Sequence, residues 1–222
     1  LLNTPGPVLL DGGMGTMLQA RGLPVGATPE LVALEHPDWL RDIHTAYLDA
    51  GSQIIYANTF GANREKLERT GRSVEEIVTA AVTVAKEAAT GRGLVALDIG
   101  PCGQLLEPTG MLGFEDAVDL FAQVVRAGVK AGADLIAIET MTDLQEARAA
   151  LLAAKENSNL PVLVTMTYEA SGRTFLGCSP AAAALTLEGL GADAVGVNCS
   201  LGPREMPPLV EELLKWTNLP IV

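Results

Sequence analysis

Short apolar runs that alternate with longer segments of helical spacing are the feature that most limits how this chain can fold. Seven runs are apolar on both faces and mostly bounded by Gly or Pro: 8–10, 52–57, 94–97, 134–138, 161–165, 193–197 and 219–222. Runs of this kind are typical of strands in a parallel sheet that is covered on both sides. The pattern therefore predicts an α/β protein built from repeated strand–helix units.

The segments between these runs have the spacing of amphipathic helices. Within 73–90, apolar residues recur at steps of three and four, which places them on one face of a helix. Ser73 and Glu76 at its start have the form of a capping box. The segment Phe114–Ala131 repeats the same apolar spacing, so both segments are predicted to be helices that cover a sheet.

The tripeptide Gly-Ala-Asp occurs twice, at 132–134 and 191–193, each time between a predicted helix and the next predicted strand. Repeated units of this type imply a parallel sheet with right-handed crossovers. A doubly wound sheet and a (β/α)8 TIM-type barrel both satisfy that rule. The unbroken series of seven strands, without a linker, favours the barrel.

The length of the chain limits how many of the eight strand–helix units of a barrel it can form. We predict one domain over residues 1–222, since no low-complexity segment divides the chain. A complete barrel takes about 250 residues. The chain begins at Leu1 rather than Met and ends in an apolar run at Val222. We therefore expect a barrel that is truncated at its C-terminus, at about the seventh strand.

Charge and cysteine content exclude several functional classes. The chain has 15 Lys and Arg against 27 Asp and Glu, a net charge of −12, which argues against nucleic acid as a partner. No uncharged apolar run approaches the roughly 18 residues that a membrane span needs. Three cysteines do not make a disulfide scaffold, so a reducing, cytoplasmic location is expected.

Polar residues follow the predicted strands directly. They are Asp11, Asn58, Thr59, Asp98, Glu139, Thr140, Asn198 and Cys199. The carboxyl ends of parallel strands form the ligand-binding rim in either architecture, so these side chains are expected to converge on one pocket. Turns and helix caps explain single Asp and Asn residues equally well. Glu139 and Cys199 are poor turn formers, and the set as a whole therefore favours a pocket.

The first of these positions opens a glycine-rich turn at 11–16. Its backbone amides could cradle an anion. The turn lacks the later glycine of the dinucleotide fingerprint and the Gly-Lys of a P-loop, so it predicts neither NAD nor ATP. Glu139, at the end of an apolar run, needs a cationic partner. A ligand ammonium group and an Arg of the chain are the two candidates.

The cysteines Cys102, Cys178 and Cys199 all follow strand candidates. Cys199 could be a metal ligand or a nucleophile, or a small buried apolar residue. The spacing of these three cysteines in the sequence does not by itself predict a zinc site.

Five segments resemble the homocysteine S-methyltransferase family, most of all the homocysteine-binding module of cobalamin-dependent methionine synthases. They are 10–18, 58–63, 98–101, 138–140 and 196–203, in the family's order and over nearly the whole chain. The segment around Asn198 and Cys199 is the most specific. The resemblance implies a (β/α)8 barrel in which zinc binds homocysteine as a thiolate.

The resemblance also implies a set of site residues. The expected substrate-binding residues are Asp11, Gly12, Gly13, Gly15, Thr16, Asn58, Thr59, Asp98, Glu139 and Asn198. Cys199 matches the first of three zinc cysteines in the family. The other two form a Gly-Gly-Cys-Cys motif that this sequence does not contain. We therefore expect an incomplete zinc site and no activity of the isolated chain, with Cys102 and Cys178 unassigned.

The implied methyl donor is methylcobalamin, charged from methyltetrahydrofolate on other modules of a parent enzyme. S-methylmethionine or a betaine is the donor if the parent stands alone, and a homodimer is a further expectation. Two alternatives remain open. The chain could be a non-catalytic amino-acid-binding or assembly module that has lost zinc, or an unrelated barrel enzyme that binds a small anion at 12–15.

Overall fold

The computed structural model describes residues 6–222 as alternating helices and strands. The helices are α1 (Met14–Ala20), α2 (Val32–Glu35), α3 (Pro37–Asp49), α4 (Arg64–Leu67), α5 (Val74–Ala89), α6 (Phe114–Ala131), α7 (Leu144–Asn157), α8 (Pro180–Gly189) and α9 (Pro207–Trp216). The strands are β1 (Ile54–Tyr56), β2 (Leu94–Ile99), β3 (Leu135–Met141), β4 (Val162–Met166) and β5 (Ala194–Val197). Short 3-10 helices cover Pro29–Leu31 and Glu68–Thr70.

All five strands are parallel and pair in the order in which they follow each other along the chain. Two further parallel bridges extend the sheet, from Leu10 to Ile54 at one side and from Val195 to Ile221 at the other. The described residues thus occupy seven of the eight strand positions of a (β/α)8 TIM-type barrel, which confirms the predicted fold class. The two outer runs form single bridges rather than strands, because each is paired with its neighbour at one position only.

The barrel buries apolar residues on both faces of its sheet. Alternate strand residues form an inner cluster: Ile54, Ala96, Leu135, Ala137, Leu163 and Ala194. The other face packs against α5, α6 and α7 in a larger continuous core. This two-sided burial explains why the strand runs carry apolar residues at consecutive positions.

The helix starts follow from local sequence. The Ser73 hydroxyl accepts the N–H of Glu76 at 3.1 Å at the start of α5, as the capping box predicted. The Asp143 carboxylate accepts the N–H of Gln145 at 2.8 Å and caps α7. No helix within residues 6–222 is long and apolar enough to cross a membrane. The domain boundary at 1–222 stays a prediction, since its first five residues lie outside the described part.

Candidate active site

A cavity of about 530 Å³ lies at the carboxyl ends of the strands. Nine of the predicted site residues line it: Asp11, Gly12, Gly13, Gly15, Asn58, Asp98, Glu139, Asn198 and Cys199. Residues from distant parts of the sequence thus converge at one rim, as expected for this architecture. A larger cavity of about 610 Å³ lies outside the barrel, between α6 and 64–75, where it is lined mostly by charged side chains.

Two predicted residues lie beside the cavity rather than on its wall. Thr16 is exposed on α1. Thr59 is buried, and its hydroxyl donates to the Asp98 carbonyl at 2.8 Å and accepts the Asp98 N–H at 3.1 Å. Thr59 therefore fixes the backbone of β2 at the point where Asp98 enters the cavity.

The charged groups on the cavity wall are all carboxyl groups. Asp11, Glu30, Asp98 and Glu139 line it, and no Lys, Arg or His is among the lining residues that the structure describes. No salt bridge to Glu139 occurs within 6–222, so the Arg partner considered from the sequence is not found there. A cavity with this charge is suited to a cationic group of a ligand.

Burial changes the protonation of these carboxyl groups. Desolvation raises the pKa of Asp11 to about 7, against a lowering by the N–H of Tyr56, which Asp11 accepts at 2.9 Å. Desolvation, followed by repulsion from Glu139 and Asp11, raises the pKa of Asp98 well above its ordinary value. The Oδ1 atom of Asp98 is buried and has no hydrogen-bond partner in the described chain. Burial also raises the pKa of Glu139.

Asn198, directly after β5, connects three strand ends. Its Nδ2 donates to Glu139 Oε2 at 3.0 Å and to Thr140 Oγ1 at 2.8 Å, both on β3. Its Oδ1 accepts the hydroxyl of Thr165 on β4 at 3.0 Å and the N–H of Thr140 at 3.1 Å. The amide therefore holds the Glu139 carboxylate at a fixed place in the cavity.

The Cys199 thiol lies at the exposed rim of this network. Asn198 Nδ2 is 3.5 Å from Cys199 Sγ, and Thr140 Oγ1 is 3.7 Å from the same sulfur. Thr140, Cys199 and Ser200 have φ values of 60°, 59° and 61°. These left-handed backbone conformations are strained for residues other than Gly, and such strain is concentrated at functional sites.

The glycine-rich segment forms another part of the cavity wall. The sequence predicts a turn over 11–16, whereas helix α1 already begins at Met14 within it. Tyr47 donates its hydroxyl to the Gly13 carbonyl at 3.0 Å. A Cβ atom at Gly12 would lie 3.0 Å from the Tyr47 hydroxyl oxygen. Gly12 thus permits close packing against α3. The first N–H groups of α1 have no acceptor within the helix.

Sequence reasoning missed Glu30, Tyr56 and Phe60 among the lining residues. Glu30 lies on the 3-10 helix Pro29–Leu31, which follows no strand. Asn58 Nδ2 donates to the Pro29 carbonyl at 2.7 Å, and Glu30 Oε1 accepts the Gly61 N–H at 2.7 Å. These long-range contacts leave no local signal in the sequence.

The three cysteines lie in different surroundings. Within 6–222, no group of three or more His, Cys, Asp or Glu side chains is placed to hold a metal ion. Cys102 is buried, and desolvation raises the pKa of its thiol to about 12. Cys178 is half-buried, and its thiol donates to the Ser179 carbonyl at 3.3 Å. Cys199 is the exposed cysteine.

A TIM-type barrel with an acidic cavity and a thiol at its strand ends has the general form of a barrel enzyme site. The chain belongs to the homocysteine S-methyltransferase family, since the model of that family matches residues 8–222. This result confirms the resemblance found in the sequence.

Related proteins agree with that assignment. The chain is similar to methionine synthase of Mycobacterium tuberculosis, with 29% identity over 230 residues, covering 95% of this chain and 19% of that protein. Methionine synthase of Mycobacterium leprae is 30% identical with the same coverage. The chain thus spans about a fifth of the length of these curated relatives.

Solved structures share the fold. The metallated form of the homocysteine methyltransferase MmuM from Escherichia coli matches with a TM-score of 0.87 and 23% identity, covering 98% of this chain and 83% of that one. The apo form matches with a TM-score of 0.82 and 25% identity, covering 100% and 82%.

Proposed function

We propose that this chain is the homocysteine-binding part of a methionine-forming methyltransferase. The observation that carries the proposal is the acidic cavity next to the Cys199 thiol, at the strand ends of a chain in this family. Homocysteine has an ammonium group, a carboxylate and a thiol. We assign each of these groups to a part of the cavity.

The ammonium group is assigned to the carboxylates of Glu139, Asp98 and Asp11. An N–H of the ligand would satisfy the unpartnered Oδ1 of Asp98. The amides at the start of α1, after Gly13, are suited to the ligand carboxylate. The ligand thiol would then point towards Cys199 at the rim.

The proposed reaction is a methyl transfer to sulfur. The homocysteine thiol loses its proton to the solvent, its sulfur attacks the methyl carbon, and an S–CH3 bond forms. The bond between that carbon and the donor breaks, and its electrons leave with the donor. The chain's contribution is to hold the nucleophile in one orientation while the donor approaches, which lowers the entropic part of the barrier.

Zinc and the methyl donor belong to this proposal as expectations from the family. Cys199 would be one zinc ligand, and because 6–222 lack a three-ligand group, no step is assigned to the metal. Methylcobalamin, recharged from methyltetrahydrofolate, is the proposed donor. The much greater length of the related methionine synthases supports folate- and cobalamin-binding modules as partners. A cytoplasmic location and a homodimer remain predictions.

Calorimetry of the 222-residue chain with homocysteine, with and without zinc, tests the proposal. We expect homocysteine to bind, and we expect zinc in excess to strengthen binding in the parent chain but not in Cys199→Ser. Cys199 and the ligand thiolate would hold this added zinc only weakly, so dialysis against a chelator should remove it. Glu139→Gln should weaken homocysteine binding about tenfold or more, since it removes a charged hydrogen-bond acceptor. Asp42→Asn, on the exposed face of α3, is the matched control and should bind like the parent.

One alternative keeps a specific observation in its favour. The acidic cavity is intact although 6–222 lack a three-ligand metal group, which suits an amino-acid-binding or assembly module that has lost zinc. Homocysteine binding that does not respond to zinc would favour this alternative. Absence of homocysteine binding would reject both functions and leave a barrel that binds a small anion at 12–15.

A further inference from the structure

The side-chain amide of Asn198 has no free hydrogen-bonding capacity. An Asn amide carries two N–H donors and two acceptor lone pairs. The donors face Glu139 Oε2, Thr140 Oγ1 and Cys199 Sγ at 3.0, 2.8 and 3.5 Å. The oxygen accepts the Thr140 N–H and the Thr165 hydroxyl. Contacts within the protein thus use the groups with which Asn198 would otherwise bind a ligand.

The donor group of the amide, Asn198 Nδ2, contacts both the cavity interior and the exposed rim. Glu139 lies on β3 inside the cavity, and Cys199 lies at the exposed rim after β5. Asn198 Nδ2 is within hydrogen-bonding distance of both side chains. A displacement of either partner therefore changes the hydrogen bonding of the other.

The backbone around the amide is held in strained conformations. Thr140 and Cys199, whose side chains both contact Asn198 Nδ2, both have φ near 60°. Such conformations persist when surrounding contacts determine them. Thr140 is fixed through its N–H and its hydroxyl, both bound to Asn198.

We propose that Asn198 is a positioning residue that couples the Glu139 carboxylate to the Cys199 thiol, so that the ammonium subsite and the sulfur site form one unit. Asn198 then acts on the ligand through its two neighbours rather than by direct contact. The homocysteine part of this proposal rests on the proposed function. The coupling itself does not, because it is a property of the chain without ligand.

The coupling is tested without ligand by NMR of the 222-residue chain. Cys199 is alkylated with iodoacetamide, and the side-chain carboxyl ¹³C resonance of Glu139 is followed. We expect a resolved shift of this resonance in the parent chain and none in Asn198→Ala. Asn198→Asp, which keeps the acceptor oxygen but loses the donor, should also lose the shift. If Asn198→Ala does not fold, the presence or absence of the shift in Asn198→Asp tests the coupling. An equal shift in parent and variant overturns the proposal, as does no shift in the parent.

Homocysteine affinity provides the second readout. Asn198→Asp should weaken binding about tenfold, because a hydrogen bond to the charged Glu139 becomes a repulsion. Thr167→Val is the control. The Thr167 hydroxyl donates to the backbone carbonyl of Asn198 at 3.1 Å and lies 3.5 Å from its Oδ1, and it does not contact the donor Nδ2. It should weaken binding less than about threefold. If the parent does not bind homocysteine, the proposed function fails, and the NMR result alone decides the coupling. Equal affinities of parent and Asn198→Asp would overturn the positioning role.

Discussion

Asp134 accepts the backbone N–H of Val95 at 2.8 Å and so ties the start of β3 to β2. The same carboxylate receives Lys86 Nζ, from α5, at 2.8 Å. One side chain thus fixes a helix and two strands at the amino-terminal end of the barrel, opposite the cavity.

The arrangement recurs two units later. Asp193 accepts the Val162 N–H at 2.8 Å and receives Lys155 Nζ, from α7, at 2.8 Å. Both aspartates are the last residue of a Gly-Ala-Asp tripeptide. The repeat seen in the sequence therefore reflects a repeated structural contact at the base of the sheet.

Asp134→Ala should lower the free energy of unfolding by about 1–3 kcal/mol, since it leaves the buried N–H of Val95 without an acceptor. Urea denaturation measures this change. Asp42→Ala removes an exposed carboxylate that pairs with Arg21 at 3.0 Å, and it should change stability by less than about 1 kcal/mol. Equal effects of the two substitutions would contradict the role assigned to Asp134.

Homocysteine affinity should rise with pH around neutrality. The pKa of Asp11 is raised to about 7, mainly by burial, so this carboxyl is largely protonated at pH 6 and largely ionised at pH 8. An ammonium group binds the ionised form, and its binding releases the proton. We expect about a tenfold gain in affinity from pH 6 to 8 if Asp11 is the titrating group. Calorimetry in two buffers of different ionisation enthalpy measures the released proton.

Asp11→Asn serves as the control for that pH dependence. The variant keeps the size of the side chain and should bind homocysteine with a much flatter pH profile. A profile as steep as that of the parent would assign the titration to Asp98 or Glu139, whose pKa values burial also raises.

His44 should make the fold sensitive to acid. It is fully buried on α3, and neither ring nitrogen has a hydrogen-bond partner within the described chain. Desolvation lowers its pKa from 6.5 to about 4. The unfolded chain therefore binds a proton between these values that the folded chain does not, and stability falls as pH drops from 6.5 towards 4. The loss should reach about 3 kcal/mol.

Urea denaturation of His44→Leu at pH 7 and pH 4.5 measures this effect. The variant should lose the His44 part of the acid sensitivity, and His36→Gln, at an exposed position, should keep it. Identical pH profiles of His44→Leu and the parent would refute the assignment.

Local sequence patterns predicted the fold well because the apolar spacing and the end residues of each strand and helix lie within that element or next to it. The helix predicted over Phe114–Ala131 has the observed bounds, since its apolar spacing and flanking Gly residues are local. The outer runs 8–10 and 219–222 were predicted to be strands but form only single bridges, because the extent of pairing depends on how the neighbouring strands lie and not on the run itself. Pairing partners are a property of the assembled barrel.

In the structure Asp98 and Glu139 lie within β2 and β3 rather than after them. The site was still predictable where a polar residue comes at the end of a predicted apolar run. Asp11, Asp98, Glu139 and Cys199 could be recognised by that position and line the cavity. Glu30 could not, since distant hydrogen bonds from Asn58 and Gly61 place it there. The position of Asn198 in the sequence likewise did not reveal that contacts with β3 and β4 use the hydrogen-bonding groups of its side-chain amide.

Zinc binding tests the expectation that the ligand set is incomplete. Cys199 is exposed at the cavity, whereas Cys102 is buried and Cys178 is half-buried near Ser179. We expect the purified 222-residue chain to retain well below one zinc per chain after dialysis against a chelator, because stable sites need about three protein ligands. Elemental analysis measures the stoichiometry, with Cys199→Ser as the control. One zinc retained per chain would reject the expectation, and loss of that zinc in Cys102→Ser or Cys178→Ser would then identify the substitute ligand.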